Sequence, residues 1–262
     1  MAFALAERMA RLRSAGRKAF VPFLTAGYPD PDVFRALLRR ARDADFVEVG
    51  LPFSDPVADG PTICHASEVA LAHGMHADLL FDALGKDASH PPAIVMTYVN
   101  PVLAYGIEAF VRRAREVGVE GLLLTDVPPE DAGLLHAAMT RDGLASVQLV
   151  APTTPAARMR AIAARTTGFL YCVAVTGTTG ARIDLGTQAC TTVERLRRVT
   201  DVPVVVGFGL STPEHVRRTL AFADGVVVGS ALVDAVRQGA ADPVAAFGRV
   251  FDSLLAAARS GA

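Results

Sequence analysis

Short, continuously apolar segments recur eight times along this chain, and helical stretches separate them. The segments are Ala19–Thr25, Phe46–Gly50, Ala93–Tyr98, Gly121–Thr125, Ser146–Ala151, Gly168–Val173, Val202–Val206 and Gly225–Val228. A strand that is apolar at every position is buried on both faces, which requires a parallel sheet covered by helices. Helices are expected over 2–15, Pro31–Ala44, Ile63–Ala72, Ala77–Gly85, Ile107–Val117, Asp131–Asp142 and Pro155–Ala164, with more before, between and after the last two strands. Eight such units in a chain of 262 residues imply a closed (β/α)8 TIM barrel with its active site at the carboxyl ends of the strands. The first helix, with Phe3, Leu5, Met9 and Leu12 at helical spacing and Gly16 as its stop, is extra to the repeat. Without a linker or a shift in composition, residues 1–262 read as one domain. An open doubly wound sheet is the alternative, but no Gly-x-Gly-x-x-Gly follows the first strand. Two prolines conflict locally with the pattern. Pro22 should push the first strand to a sheet edge, and Asn100-Pro101 should end the third strand.

Composition narrows the function classes. Hydrophobic residues make up 51% of the chain, enough for a large core and too many for disorder. A formal net charge of −1, with no long run of one sign, argues against a nucleic-acid platform. Trp is absent, so no base-stacking surface is suggested. The three cysteines, Cys64, Cys172 and Cys190, are odd in number and lack Cys-x-x-Cys spacing, which suits a reducing compartment. His73 and His76 are a near pair without further ligands around them, so no metal site is expected. The first residues lack the apolar core of a signal peptide, and no apolar run reaches the roughly 18 residues that span a bilayer. The expectation is a cytoplasmic protein without a membrane partner.

The chemistry concentrates in Phe46–Pro61. Alternation along the strand puts Phe46, Glu48 and Gly50 on one face and Val47 and Val49 on the other. Glu48 is thus a carboxylate inside an apolar strand, a costly placement. Gly50, Pro52, Pro56, Gly60 and Pro61 then shape a stiff loop carrying Asp55 and Asp59. One acid at a rigid strand end and another on the next loop could be an acid/base pair, or a satisfied core Glu beside solvated loop acids. Glycine-rich clusters follow the last three strands: Thr176–Ala181, Gly207–Thr212 and Gly229–Ala231. Glycines let backbone N–H groups approach an oxyanion, and a helix N-terminus adds partial positive charge. Phosphate sites after strands seven and eight recur in this fold.

The run Glu48-Val49-Gly50-Leu51-Pro52-Phe53-Ser54-Asp55-Pro56-Val57-Ala58-Asp59-Gly60-Pro61 resembles the signature of the tryptophan synthase alpha chain family, and the resemblance extends over nearly the whole chain. It favours keeping Ala19–Thr25 as a strand despite Pro22. It implies retro-aldol cleavage of indole-3-glycerol phosphate to indole and glyceraldehyde 3-phosphate, without metal or organic cofactor. By the same resemblance Glu48 is the general acid/base, and Asp59 binds the indole N–H. Gly180, Gly209, Gly229 and Ser230 hold the phosphate, with Phe208 packing near the substrate. Tyr171 stands near Glu48, and Phe23, Ile63, Tyr98, Leu123 and Thr179 line or close the indole pocket. For the apolar ones ordinary core packing is the competing reading. The implied partner is a tryptophan synthase beta chain in an α2β2 complex.

Four positions depart from the family pattern: Cys64 for Gln, Thr125 for Pro or Ala, Ala174 for Ser, and Thr178 for an aliphatic residue. The last two fall on the loop after strand six, which in the family closes over substrate and communicates with the beta chain. Three alternatives therefore stay open at this point. One is a free-standing lyase that releases indole to another pathway. Another is a silent phosphosugar-binding regulatory subunit, which the intact Glu48 and Asp59 count against. The third is a barrel isomerase, which would not need this acid pair.

Overall fold

The computed structural model of the chain describes residues 3–86, 89–173, 185–207 and 209–260. Among them the order of elements is α1 (Ala4–Ser14), β1 (Ala19–Thr25), α2 (Pro31–Arg40), β2 (Val47–Gly50), α3 (Pro61–Ala72), α4 (Ala77–Lys86), β3 (Ala93–Thr97), α5 (Val99–Tyr105), α6 (Ile107–Glu116) and β4 (Val119–Leu124). There follow α7 (Gly133–Asp142), β5 (Ala145–Val150), α8 (Ala156–Ala163), β6 (Leu170–Val173), α9 (Leu185–Arg197), β7 (Val204–Gly207), α10 (Pro213–Leu220), β8 (Gly225–Val228), α11 (Ser230–Gln238) and α12 (Pro243–Arg259). The strands form a closed parallel barrel in sequence order, with β8 returning to β1. This is the (β/α)8 architecture that the alternation implies.

Closure explains why the strands are apolar throughout. All seven residues of β1 are buried, as are all four of β2, β7 and β8, because one face lines the barrel and the other meets the helices. Pro22 does not sit at an edge. It pairs with Val228 of β8 while β1 also pairs with β2. In a parallel ladder successive residues address alternate neighbours, so a proline forfeits one N–H bond to one neighbour and leaves the other side intact. Asn100-Pro101 ends β3 as expected, but it also lies in the first turn of α5. Proline is tolerated there because the first helical N–H groups have no intrahelical acceptor. Helix starts are marked by a cap followed by proline. Asp30, Thr212 and Asp242 accept backbone N–H bonds at the heads of α2, α10 and α12, and Pro31, Pro213 and Pro243 follow them.

The extra helix has a structural role. Leu5 of α1 is fully buried at the amino-terminal end of the barrel. A Cβ at Gly121 would lie 2.8 Å from its Cδ2, and one at Gly168 would lie 2.7 Å away. Leu5 therefore occupies the space that those two glycines leave, while Arg8 bonds both carboxylate oxygens of Glu120 at 2.9 and 3.0 Å. Leu5→Ala should cost about 2–5 kcal/mol, the range for a buried Leu whose cavity cannot fully collapse. Urea unfolding should show the loss. Activity in native buffer should be retained, because the opposite end of the barrel carries the candidate site.

Candidate active site

The carboxyl ends of the strands surround a cavity of about 330 Å³. Strand register brings its first two side chains together: Phe23 of β1 lies opposite Glu48 of β2. Room for the Phe23 ring comes from Gly50, where a Cβ would stand 2.6 Å from Cζ. Glu48 is 1% exposed, and neither of its carboxyl oxygens has a hydrogen-bond partner among the described residues. Loss of solvation, then the charge of Asp59, pushes its pKa from the ordinary 4.5 up to about 8. At neutral pH it is mostly a neutral acid that loses its proton within reach of physiological pH, the property wanted in an acid/base group.

Asp59 reaches the same cavity from the loop after β2, just before α3. Burial raises its pKa to about 6, and a hydrogen bond from Tyr98 opposes the rise. The Tyr98 hydroxyl donates to Asp59 Oδ2 at 3.2 Å and accepts from the Ala58 N–H at 3.0 Å. The Phe53 ring packs on Tyr98 with centroids 5.2 Å apart. Cys64 Sγ lies 3.5 Å from the Asp59 carbonyl, so this departure from the family pattern helps to hold the loop. Thr125, another departure, turns its hydroxyl to the Thr97 carbonyl at 3.4 Å, next to Tyr98. Between about pH 6 and 8 the site therefore carries one neutral and one ionised carboxyl group, separated by environment.

Tyr171 of β6 is buried beside this pair, and its pKa is raised by burial and then by the charges of Glu48 and Asp59. Its hydroxyl occupies the space over Gly207, where a Cβ would lie only 2.1 Å away. The same cavity is lined by Gly209, with φ +76°, and by Gly229 and Ser230 at the head of α11. No lysine or arginine lines the cavity among the described residues. An anion there would rely on backbone N–H groups and the helix N-terminus. Among the described residues no group of three or more His, Cys, Asp or Glu is arranged to hold a metal ion. No helix among them is long and apolar enough to cross a membrane.

The cavity thus gathers Phe23, Glu48, Asp59, Ile63, Tyr171, Gly209, Gly229 and Ser230. Tyr98 borders a smaller neighbouring space with Thr25 and Thr97. Leu123 is fully buried in β4, paired in register with Val147 and with Met96, which lines the cavity. Thr179, Gly180 and Phe208, with Ala174 and Thr178, lie outside the described residues. Thr62, Met96, Leu210, Val227 and Asp234 line the cavity without having been singled out from sequence. Asp234 carried a usable signal, because it stands four residues after Ser230 and so on the same helix face. Thr62 carried none, being one polar residue in an apolar helix start.

The family model for the tryptophan synthase alpha chain matches residues 9–254. An alpha chain from Roseiflexus sp. (strain RS-1) is 45% identical over 239 residues, covering 89% of this chain and 92% of that one. The alpha chain of Gloeobacter violaceus is 47% identical over 234 residues, with coverage of 87% and 85%. Among solved structures, the tryptophan synthase of Mycobacterium tuberculosis superposes with a TM-score of 0.90 at 35% identity, covering 99% of both chains. The alpha subunit from Legionella pneumophila gives 0.87 at 34% identity, covering 97% of both.

Proposed function

This chain belongs to the tryptophan synthase alpha chain family, and on that premise we propose how its own residues carry out the family's reaction. The reaction is carbon–carbon lysis of indole-3-glycerol phosphate to indole and glyceraldehyde 3-phosphate, in tryptophan biosynthesis. The bond between the indole ring and the glycerol chain cannot break until the ring can accept its electron pair. Glu48, as the neutral acid, protonates the ring carbon that bears the chain. The resulting cation spreads onto the ring nitrogen, where the ionised Asp59 accepts the N–H hydrogen bond and stabilises the charge. Glu48, now a carboxylate, takes the proton of the adjacent side-chain hydroxyl. The oxygen's electrons form the aldehyde carbonyl, the carbon–carbon pair returns to the ring, and indole leaves aromatic. Glu48 ends as it began, protonated.

One observation carries this reading: a fully buried carboxyl group, without a partner among the described residues, faces a cavity that also holds a second carboxyl group of lower pKa. Phe23 and Ile63 would flank the indole ring, and Tyr171 would pack near Glu48. Tyr98 would hold Asp59 in place. Gly209, Gly229 and Ser230 would bind the phosphate together with Gly180 and Phe208, and Leu123 and Thr179 would complete the pocket wall. The whole chain would act as one domain.

A beta-chain complex is implied by membership of the family, and the assembly we propose is α2β2. The test is indole release by the isolated chain, followed by titration with a beta chain from the same source. Activation that saturates at one beta chain per alpha chain is expected. High activity alone with no response to the beta chain would favour a free-standing lyase, and no indole release in either state would overturn the reading.

A further inference from the structure

We propose that Thr62 and Asp234 are positioning residues of this site, forming a strut that holds Asp59 in register with the phosphate cradle. The inference rests on the reading above for the roles of Asp59 and the cradle. Asp59 stands two residues before α3, whose N-cap is Gly60 and which therefore lacks a side-chain cap. The first turn of α3 needs another anchor to keep the preceding carboxylate in place. Thr62, in that turn, directs its hydroxyl at both carboxylate oxygens of Asp234, at 3.5 and 3.4 Å. Asp234 is itself held by Arg237 at 2.8 Å. It lies on α11, four residues beyond Ser230 and on the same helix face. The path from the cradle to the loop acid is thus one rigid helix, one forked hydrogen bond and the first turn of a second helix.

Electrostatics alone would disfavour a carboxylate here. Asp234 lines the cavity that also holds the anion subsite, and like charges repel. Arg237 offsets this only in part, being half exposed and screened by water. Asp234 should therefore weaken phosphate binding slightly while its contact with Thr62 fixes the geometry of the reacting end. That combination separates a positioning role from a binding role, because the two move kcat and phosphate affinity in different directions. The forked bond is long, so the expected effect is at most that of one ordinary hydrogen bond.

The experiment compares Thr62→Val, Thr62→Ser, Asp234→Leu and the Thr62→Val/Asp234→Leu double variant with the wild-type chain. Thr62→Val should lower kcat roughly three- to tenfold, the size of one lost hydrogen bond, with the affinity for inorganic phosphate unchanged. Thr62→Ser should restore kcat, and Asp234→Leu should lower it while binding phosphate more tightly. The double variant should be no worse than the weaker single one, since both remove the same contact. A second readout is independent of lyase activity. The amides of Ile63 and Cys64, bonded to the Gly60 carbonyl at 3.0 and 2.9 Å, should exchange hydrogen several-fold faster in Thr62→Val and at the wild-type rate in Thr62→Ser. Wild-type kcat and exchange in Thr62→Val, or additive losses in the double variant, would overturn the strut. A wild-type chain that released no indole would overturn the lyase reading instead, and the exchange measurement would then decide the strut alone.

Discussion

Glu48→Gln is expected to lower indole release by about 10²–10⁴-fold, the contribution of a positioned acid/base group, and to leave the barrel folded. The side chain keeps its size and its place in β2, but it can neither give a proton to the ring carbon nor take one from the hydroxyl. Turnover of the purified variant measures the first effect, and retention of most activity would remove Glu48 from the mechanism. Stability should move in the opposite sense, and the direction follows from proton counting. The folded-state pKa, about 8, lies above the ordinary 4.5. Between those values the native chain keeps a proton that the unfolded chain has lost. Stability is therefore fully present below the lower value and falls as pH rises through the higher one. Gln carries no proton to lose, so Glu48→Gln should gain stability relative to wild type as pH rises toward 8 and beyond. Urea unfolding of both chains at pH 6 and pH 9 reads this directly. A stability gap independent of pH would show that Glu48 does not titrate in this window.

Asp59→Asn should reduce kcat by about 10²–10³-fold, the range for losing a group aimed at developing charge. Asn keeps an oxygen that can accept the Tyr98 hydrogen bond, so the loop should hold its shape. What disappears is the negative charge opposite the ring nitrogen, which matters when the ring becomes cationic and much less in the ground state. Binding of a glycerol phosphate analogue without the indole ring should be unchanged. An equal loss in that binding would place Asp59 in phosphate recognition instead. The pH profile gives a further check. Wild-type kcat/KM should rise near pH 6 as Asp59 ionises and fall near pH 8 as Glu48 loses its proton, with both apparent values belonging to the coupled pair. Asp59→Asn should lose the acidic limb and keep the alkaline one.

Local pattern was enough to define the repeat. Ala19–Thr25 and Gly225–Val228 read as strands from apolar content alone, and they form β1 and β8 with those bounds. The same alternation put Glu48 on a buried strand, because a side chain's face depends only on its neighbours one and two positions away. Signals of that range also located the glycines at the strand ends. Contacts made by closure were beyond them. Pro22 reads as an edge residue until β8 returns to pair with β1. Leu5 reads as one apolar position of a surface helix until it covers Gly121 and Gly168 at the barrel's amino-terminal end. Tyr98 meets Asp59 across 39 residues and Thr62 meets Asp234 across 172, so neither spacing has a local period to betray it. Leu123 is a strand residue like Phe23, and only the register of β4 against β3 puts it on the same face as the cavity-lining Met96. Periodicity gives each side chain a face, whereas which faces meet is set by the barrel's closure, a property of eight strands at once and of no segment by itself.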